Sequence, residues 1–312
     1  MTPIFFIINP GSRHHKSAKF IPQLFDELKK LKIDYEYELT NTLQDAWSLS
    51  RKANQQGYDT IVALGGDGTI NKVLSGFYDD SGKRISKAKL GVIHTGTSPD
   101  FCKSYGLPTV PALALKSVRM GFSKQISVAR IEYHKQSGAS QTGYFACCAS
   151  LGLGARVAQK SNSGLRKYLG DTLGTLSSIF FSLCGYHASD LELVCDGEKQ
   201  VIKRNYNTFI GKTRYIASGM QLRHSLGETD ERLYVLSIKN LGFLNILPVL
   251  KAVYSGQPIR EKDYISLRYA RSIEVLSGDR NREVEFDGDP QGYLPCRISI
   301  ASDQLELIAD EL

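Results

Sequence analysis

Five consecutive residues, Gly65-Gly66-Asp67-Gly68-Thr69, carry the clearest chemistry in the chain. An apolar run at 61–64 precedes them, and Ile70, Val73, Leu74 and Phe77 follow at helical spacing. A strand that empties through a glycine turn into a helix N-terminus is a phosphate-binding arrangement. The glycines let backbone N–H groups approach the anion, and the helix end adds unpaired donors and partial positive charge. Asp67 is the discordant member, because a carboxylate repels phosphate unless a cation lies between them. Mg²⁺ carried in with a nucleoside triphosphate supplies that cation.

The elements around this turn set its context. Residues 4–8 form a continuous apolar strand ending in Asn9-Pro10-Gly11-Ser12, and Phe20, Ile21, Leu24, Leu28 and Leu31 then recur at helical spacing. Residues 35–39 alternate as a strand, Ala46, Leu49 and Ala53 mark a second helix, and 61–64 and 90–93 are further strands. This βαβα rhythm predicts a Rossmann-like parallel sheet with helices on both faces. Ligands of such sheets sit at the carboxyl ends of the strands. The turns after Ile8, Leu64 and Ile93 all fall at that edge.

From about Ser127 the rhythm changes to short strands punctuated by turns such as Ser137-Gly138, Asp196-Gly197 and Asp287-Gly288. Strands are predicted at 128–133, 143–149, 191–195, 206–210, 233–238, 264–269, 272–276, 283–286 and 297–300, with one long helix at 165–186. The expected fold class is therefore α/β plus all-β. A nucleotide-binding α/β domain is expected at 1–126 and a β-sandwich-like domain at 127–300, with a cleft between them.

Taken together the motifs resemble the diacylglycerol kinase catalytic family, whose relatives include sphingosine and ceramide kinases and, more distantly, NAD kinases. Gly-Gly-Asp-Gly-Thr with Ile70-Asn71 is similar to the nucleotide motif that the lipid kinases and NAD kinases share. Asn9-Pro10-Gly11-Ser12 resembles the first lipid-kinase motif, and Gly96-Thr97-Ser98-Pro99-Asp100-Phe101 resembles Gly-Thr-Gly-Asn-Asp-Phe. Tyr105-Gly106-Leu107-Pro108, Lys167-Tyr168-Leu169-Gly170, Gly219-Met220-Gln221-Leu222 with Asp230, and Phe286-Asp287-Gly288-Asp289-Pro290 continue the series in order. The last three pieces favour the lipid-kinase branch over NAD kinase. Departures from the family pattern include Pro99 for Asn, Lys72 for an acid, Asp289 for Glu, and Tyr234 where a second metal-loop Asp often stands.

The resemblance implies nucleotide contacts from Asn9, Pro10, Gly11, Ser12 and Arg13, from Thr40, from Gly66, Asp67, Gly68, Thr69, Ile70, Asn71 and Lys72, and from Thr97. It implies a structural Mg²⁺ held by the Asp230 side chain and by the backbone carbonyls of Gly227 and Arg232, and it makes Asp289 the general base, with Asp100 as the next candidate. It implies that 127–300 is the lipid-substrate domain and that the C-terminal tail 301–312 packs back on the first domain. The activity implied is ATP-dependent transfer of the γ-phosphoryl group to the hydroxyl of a lipid such as diacylglycerol or a sphingoid or ceramide lipid. Two alternatives stand beside it. One is a NAD kinase-like phosphotransferase, and the other is a catalytically silent nucleotide- or lipid-binding protein on the same fold.

Composition sets outer bounds. At 312 residues the chain is long for one core and comfortable for two. Lys plus Arg is 39 against 32 acidic residues, a net charge of +7, which suits anionic partners. ATP and a lipid at a membrane surface are the expected partners, with no nucleic acid, and the oligomeric state is left open, a homodimer being one option. The N-terminus lacks a signal-peptide pattern and no apolar run reaches 18 residues, so a cytoplasmic protein, peripheral at the inner membrane face, is expected. Six cysteines without C-x-x-C or zinc spacing read as reduced, packed thiols.

Overall fold

A computed structural model describes residues 3–12, 20–154, 186–217, 219–277, 283–286 and 289–310. The chain divides into two compact units, one made of residues 1–128 with 301–312 and the other of 129–300.

In the first unit, strands β1 (Ile4–Ile8), β2 (Tyr35–Leu39), β3 (Thr60–Gly65), β4 (Lys89–His94), β5 (Ser123–Ile126) and β18 (Leu305–Ile308) form one sheet in the order β2-β1-β3-β4-β18-β5. β1 pairs in parallel with both β2 and β3, and β3 with β4. Phe6, Ile7 and Ile8 of β1 are all fully buried, as the continuous apolar run requires when both faces of a parallel sheet are covered. Phe6, Ile8, Val62, Leu64 and Ile93 share a core with Leu24 and Leu28 of α1 (Ile21–Lys30) and with Ala114, Leu115 and Val118 of α5 (Pro111–Met120). Helix α2 (Leu43–Gln56) starts at a capping box, in which Thr42 Oγ1 accepts from the Asp45 N–H and the Asp45 carboxylate accepts from the Thr42 N–H. It packs on α3 (Asp67–Ser75), where Ser50 donates 2.6 Å to the Val73 carbonyl. A short helix α4 (Asp100–Ser104) follows β4. Strand β18 lies between β4 and β5, parallel to the first and antiparallel to the second, so the C-terminal strand completes the N-terminal sheet.

The second unit holds β6 (Ala129–His134), β7 (Ser140–Phe145), β8 (Cys148–Gly152), β9 (Ser189–Cys195), β10 (Glu198–Gly211), β13 (Leu233–Lys239), β14 (Ile265–Ala270), β15 (Ser272–Ser277), β16 (Glu283–Phe286) and β17 (Asp289–Ile300) in one ten-stranded sheet. A small hairpin joins β11 (Tyr215–Ile216) to β12 (Met220–Gln221). The long β10 pairs β9 through its first half and both β8 and β13 through its second. Since β9 also pairs β15, the path β10-β8-β16-β17-β15-β9 returns to β10 around a single core that includes Phe145, Leu151, Leu193, Ile210, Val235, Val284, Phe286 and Ile298.

The run at 143–149, read from the sequence as one strand, is two. β7 ends at Phe145 and pairs β6, whereas β8 begins at Cys148 and pairs β10 and β16. Apolar composition stays uniform across the break, so periodicity does not mark it. The expected helix at 165–186 lies outside the described residues apart from its last position. Helix α6 (Ile246–Tyr254), preceded by a 3₁₀ turn at Phe243–Asn245, occupies an apolar stretch of the sequence. Among the described residues no helix is long and apolar enough to cross a membrane.

Candidate active site

Three turns leave the carboxyl ends of adjacent parallel strands β1, β3 and β4, and side chains tie them together. Asn9 donates through Nδ2 to Thr69 Oγ1 at 2.8 Å, joining the first turn to the first turn of α3. Asn9 Oδ1 accepts the Gly11 N–H at 3.0 Å, which curls the Asn-Pro-Gly segment back on itself. The Ser12 and Thr95 hydroxyls meet at 3.1 Å, linking the first turn to the third. The Asp67 carboxylate accepts the Asp100 N–H at 3.2 Å, linking the second turn to the third.

Gly66 precedes α3 with no side chain capping the helix. Ile70 is the first residue whose N–H is taken by a carbonyl of this turn, that of Gly66 at 3.0 Å. Earlier N–H groups of a helix have no intrahelical acceptor and face the end of the macrodipole, equivalent to roughly +0.5 charge. The second and third turns touch backbone to backbone: a Cβ built on Gly96 falls 2.5 Å from the Gly66 Cα. Only glycine at 96 allows the two loops to close to this distance.

Asp67 sits at the first position of α3 with its side chain 21% exposed, and His94 Nε2 stands 3.5 Å from Asp67 Oδ1. Asp100 is buried, and its Oδ1 accepts the Ser98 hydroxyl at 2.9 Å. Burial, and then the nearby Asp67 charge, push the Cys102 thiol up to about 12, so this cysteine stays a packed thiol. Two carboxylates beside a nest of glycine N–H groups form an arrangement suited to a triphosphate that brings its own divalent cation.

The remaining expected nucleotide residues take varied places. Thr40 is buried just past β2, its N–H bonded to the Ile8 carbonyl at 2.9 Å. Thr69, Ile70 and Asn71 are buried, with Ile70 wholly inside the core, so its side chain is structural. Lys72 lies in the last turn of α3, about 7.5 Å along the axis from Asp67 at 1.5 Å per residue. Thr97 is exposed. Pro99 sits at the N-cap of α4, where its carbonyl accepts the Lys103 N–H at 2.9 Å. Arg13 lies outside the described residues. Asp289 is the first residue of β17, paired with Phe286 across the hairpin. His94 was not among the residues singled out from the sequence. Its signal is positional, since it is the last residue of a strand that empties into a glycine turn.

The oxygens of the loop expected to hold a structural Mg²⁺ have partners within the chain. Both Asp230 carboxylate oxygens are taken by Arg232: Oδ2 by Nη2 at 2.8 Å, and Oδ1 by Nε at 3.1 Å and by the backbone N–H at 2.9 Å. That pairing holds the Asp230 carboxyl down to about 2. The Gly227 carbonyl accepts the Asp230 N–H at 3.2 Å. The Lys212 ammonium donates to the Asp230 carbonyl and, at 3.4 Å, to that of Arg232. Tyr234 is fully buried in β13, with its ring 5.4 Å from His224. Among the described residues no group of three or more His, Cys, Asp or Glu side chains converges as a metal site.

Comparison with known proteins agrees with this architecture. Residues 3–131 match the diacylglycerol kinase catalytic domain, and residues 147–309 match the YegS C-terminal NAD kinase beta sandwich-like domain. The chain belongs to the diacylglycerol kinase family. A diacylglycerol kinase of Mycobacterium tuberculosis is 25% identical over 308 residues, covering 97% of this chain and 93% of that protein. The crystal structure of a diacylglycerol kinase from Bacillus anthracis superposes with a TM-score of 0.70 at 18% identity, covering 99% of this chain and 97% of that one. Yeast NADH kinase complexed with NADH shares the fold at a TM-score of 0.53 and 13% identity, covering 99% and 84%.

Proposed function

We propose that the chain is an ATP-dependent lipid kinase that transfers the γ-phosphoryl group of ATP to the hydroxyl of a lipid such as diacylglycerol or a sphingoid or ceramide lipid. The observation that carries this reading is the convergence of three strand-end turns on Asp67 and Asp100, in a chain of the diacylglycerol kinase family. The magnesium complex of ATP is the donor substrate. Glycine N–H groups at residues 65–68 hold the phosphates, and Asp67 acts on the nucleotide-borne metal directly or through water. The acceptor oxygen attacks the γ-phosphorus, the bond from that phosphorus to the bridging oxygen breaks, and ADP leaves. Asp289 takes the hydroxyl proton. Positioning and charge neutralisation do most of the work, because phosphoryl transfer asks little covalent chemistry of the protein.

The test is ATP consumption with diacylglycerol, ceramide, sphingosine and NAD as acceptors. Turnover on one of the lipids is expected. Turnover on NAD alone would make the chain NAD kinase-like, and no turnover on any acceptor would make it a silent binder.

Close approach of the second and third turns gives a sharper expectation. In Gly96→Ala the new Cβ meets the Gly66 backbone at 2.5 Å, which no rotamer can relieve. The loops must part, so the KM for ATP rises about tenfold or more and stability falls by about 1–3 kcal/mol. Wild-type nucleotide affinity in this variant would show that the contact does not shape the site.

Lipid access has its own marker in the second unit. Leu244, in the 3₁₀ turn before α6, is 86% exposed and Leu247, in the first turn of α6, is 76% exposed, while Val249 and Val253 of the helix are buried. Lys251 follows on the same helix, and the whole chain carries +7. An exposed apolar pair on a helix that carries a lysine suits the inner, anionic face of a bilayer. Replacing both leucines with Asp should weaken binding to phosphatidylglycerol-containing vesicles about tenfold or more. Sedimentation with vesicles measures it, and unchanged binding would remove α6 as the contact.

A further inference from the structure

The loop at 227–232 poses a question that the expected activity does not answer, because its oxygens are already committed to cations of the chain itself. Lys212 is buried, only 5% exposed, and directly follows β10. Its position is fixed at both ends. Its backbone N–H donates to the Cys147 carbonyl at 3.0 Å, and the preceding Gly211 admits no side chain, since a Cβ there would lie 2.4 Å from that same carbonyl and 2.7 Å from Tyr234 Oη. Glycine at 211 thus lets the strand end close against its neighbours and delivers Lys212 beneath the loop. The ammonium then reaches the carbonyls of Asp230 and Arg232, while the Arg232 guanidinium grips the Asp230 carboxylate from the other side.

We propose that Lys212 and Arg232 replace a divalent cation in this loop, so that the second unit is held together by an internal ammonium and guanidinium and takes no metal. Two single charges stand where one double charge would be needed, and they satisfy the same classes of oxygen: carboxylate and backbone carbonyl. Burial lowers the pKa of His224, which packs against Tyr234, and the Arg214 and Lys212 charges act in the same direction. Burial moves the Lys212 ammonium itself down to about 8, with Arg232 acting in the same direction and Asp230 opposing. The metal dependence of the protein then has one source, the nucleotide.

Thermal unfolding of the full chain without nucleotide, in EDTA and in millimolar magnesium, tests this directly. The unfolding midpoint should be the same in both. Lys212→Met, which keeps an unbranched apolar stem one atom shorter and removes the donors, should lower the midpoint by about 2–10 °C in either buffer. In the double variant Lys212→Ala with Arg232→Ala the freed oxygens should recruit the ion, and magnesium should restore part of the lost stability. Magnesium stabilisation of the wild type that disappears in Asp230→Asn would overturn the proposal. Stabilisation that survives Asp230→Asn and disappears in Asp67→Ala places the ion in the first unit and supports it. If neither Lys212 variant folds, the wild-type comparison with Asp230→Asn still decides the matter.

Discussion

Asp67→Ala should remove phosphoryl transfer while leaving the chain folded. The loss expected in kcat/KM for ATP is about 10²–10³-fold, the range seen when one preorganised electrostatic group leaves an active site. The neighbours that fix the place of the carboxylate include the Asp100 N–H at 3.2 Å, His94 Nε2 at 3.5 Å, and the N-terminus of α3. Removing it forfeits a helix-dipole interaction of about 0.3–1 kcal/mol and a hydrogen bond of about 0.5–1.5 kcal/mol. The midpoint should therefore fall by only about 2–8 °C. Asp67→Asn separates the two roles, because an amide oxygen still accepts the Asp100 N–H but carries no charge for a metal. Its midpoint should return towards wild type while its activity stays low. An active Asp67→Asn, or an Asp67→Ala that does not fold, would make the residue a structural tie between two turns.

Much of this site was legible because parallel sheets write themselves plainly. The run Phe5-Phe6-Ile7-Ile8 is apolar without alternation because helices cover both faces, and the glycine and asparagine turns follow each such strand at the same edge. Less legible were contacts set by tertiary closure. The Ser12–Thr95 and Asp67–Asp100 bonds span 83 and 33 positions, and nothing local announces them. His94 escaped notice for the same reason, since a lone histidine at a strand end gains meaning only when Asp67 arrives beside it.

Asp230 carries the metal expectation because its place in the motif series is right. Arg232 two residues later and Lys212 eighteen residues earlier set cations of the chain itself beside its carboxylate and the neighbouring carbonyls. A family pattern records which oxygens converge but not which cations a particular chain has supplied to them. The long β10 illustrates a related limit. Its two halves pair different neighbours, and the sequence reading found only the apolar second half because Lys199, Lys203 and Arg204 fill the first with exposed charge.

Asp289→Asn should lower kcat by about 10²–10⁴-fold with the KM for ATP little changed, because an amide keeps the shape of the carboxylate but cannot accept the hydroxyl proton. The residue opens β17, directly across from Phe286, whose ring lies in the core of the second unit against Tyr133 and Phe145 at 5.7 Å each. The backbone at 289 is thus carried by a ladder with a packed side chain at its other rung. A substitution confined to the side chain leaves this anchor in place, so the expected signature is kinetic and the midpoint stays near wild type. Asp289→Glu restores the residue usual in the family and lengthens the side chain by one methylene. It should retain substantial activity, and it exceeds wild type if the reach of Asp is what limits proton transfer. Measuring kcat and KM for ATP and lipid separately in both variants distinguishes a base from a binding residue. A wild-type kcat in Asp289→Asn would move the base elsewhere, and Asp100, buried beside Asp67 and already accepting the Ser98 hydroxyl, is then the carboxylate to replace next.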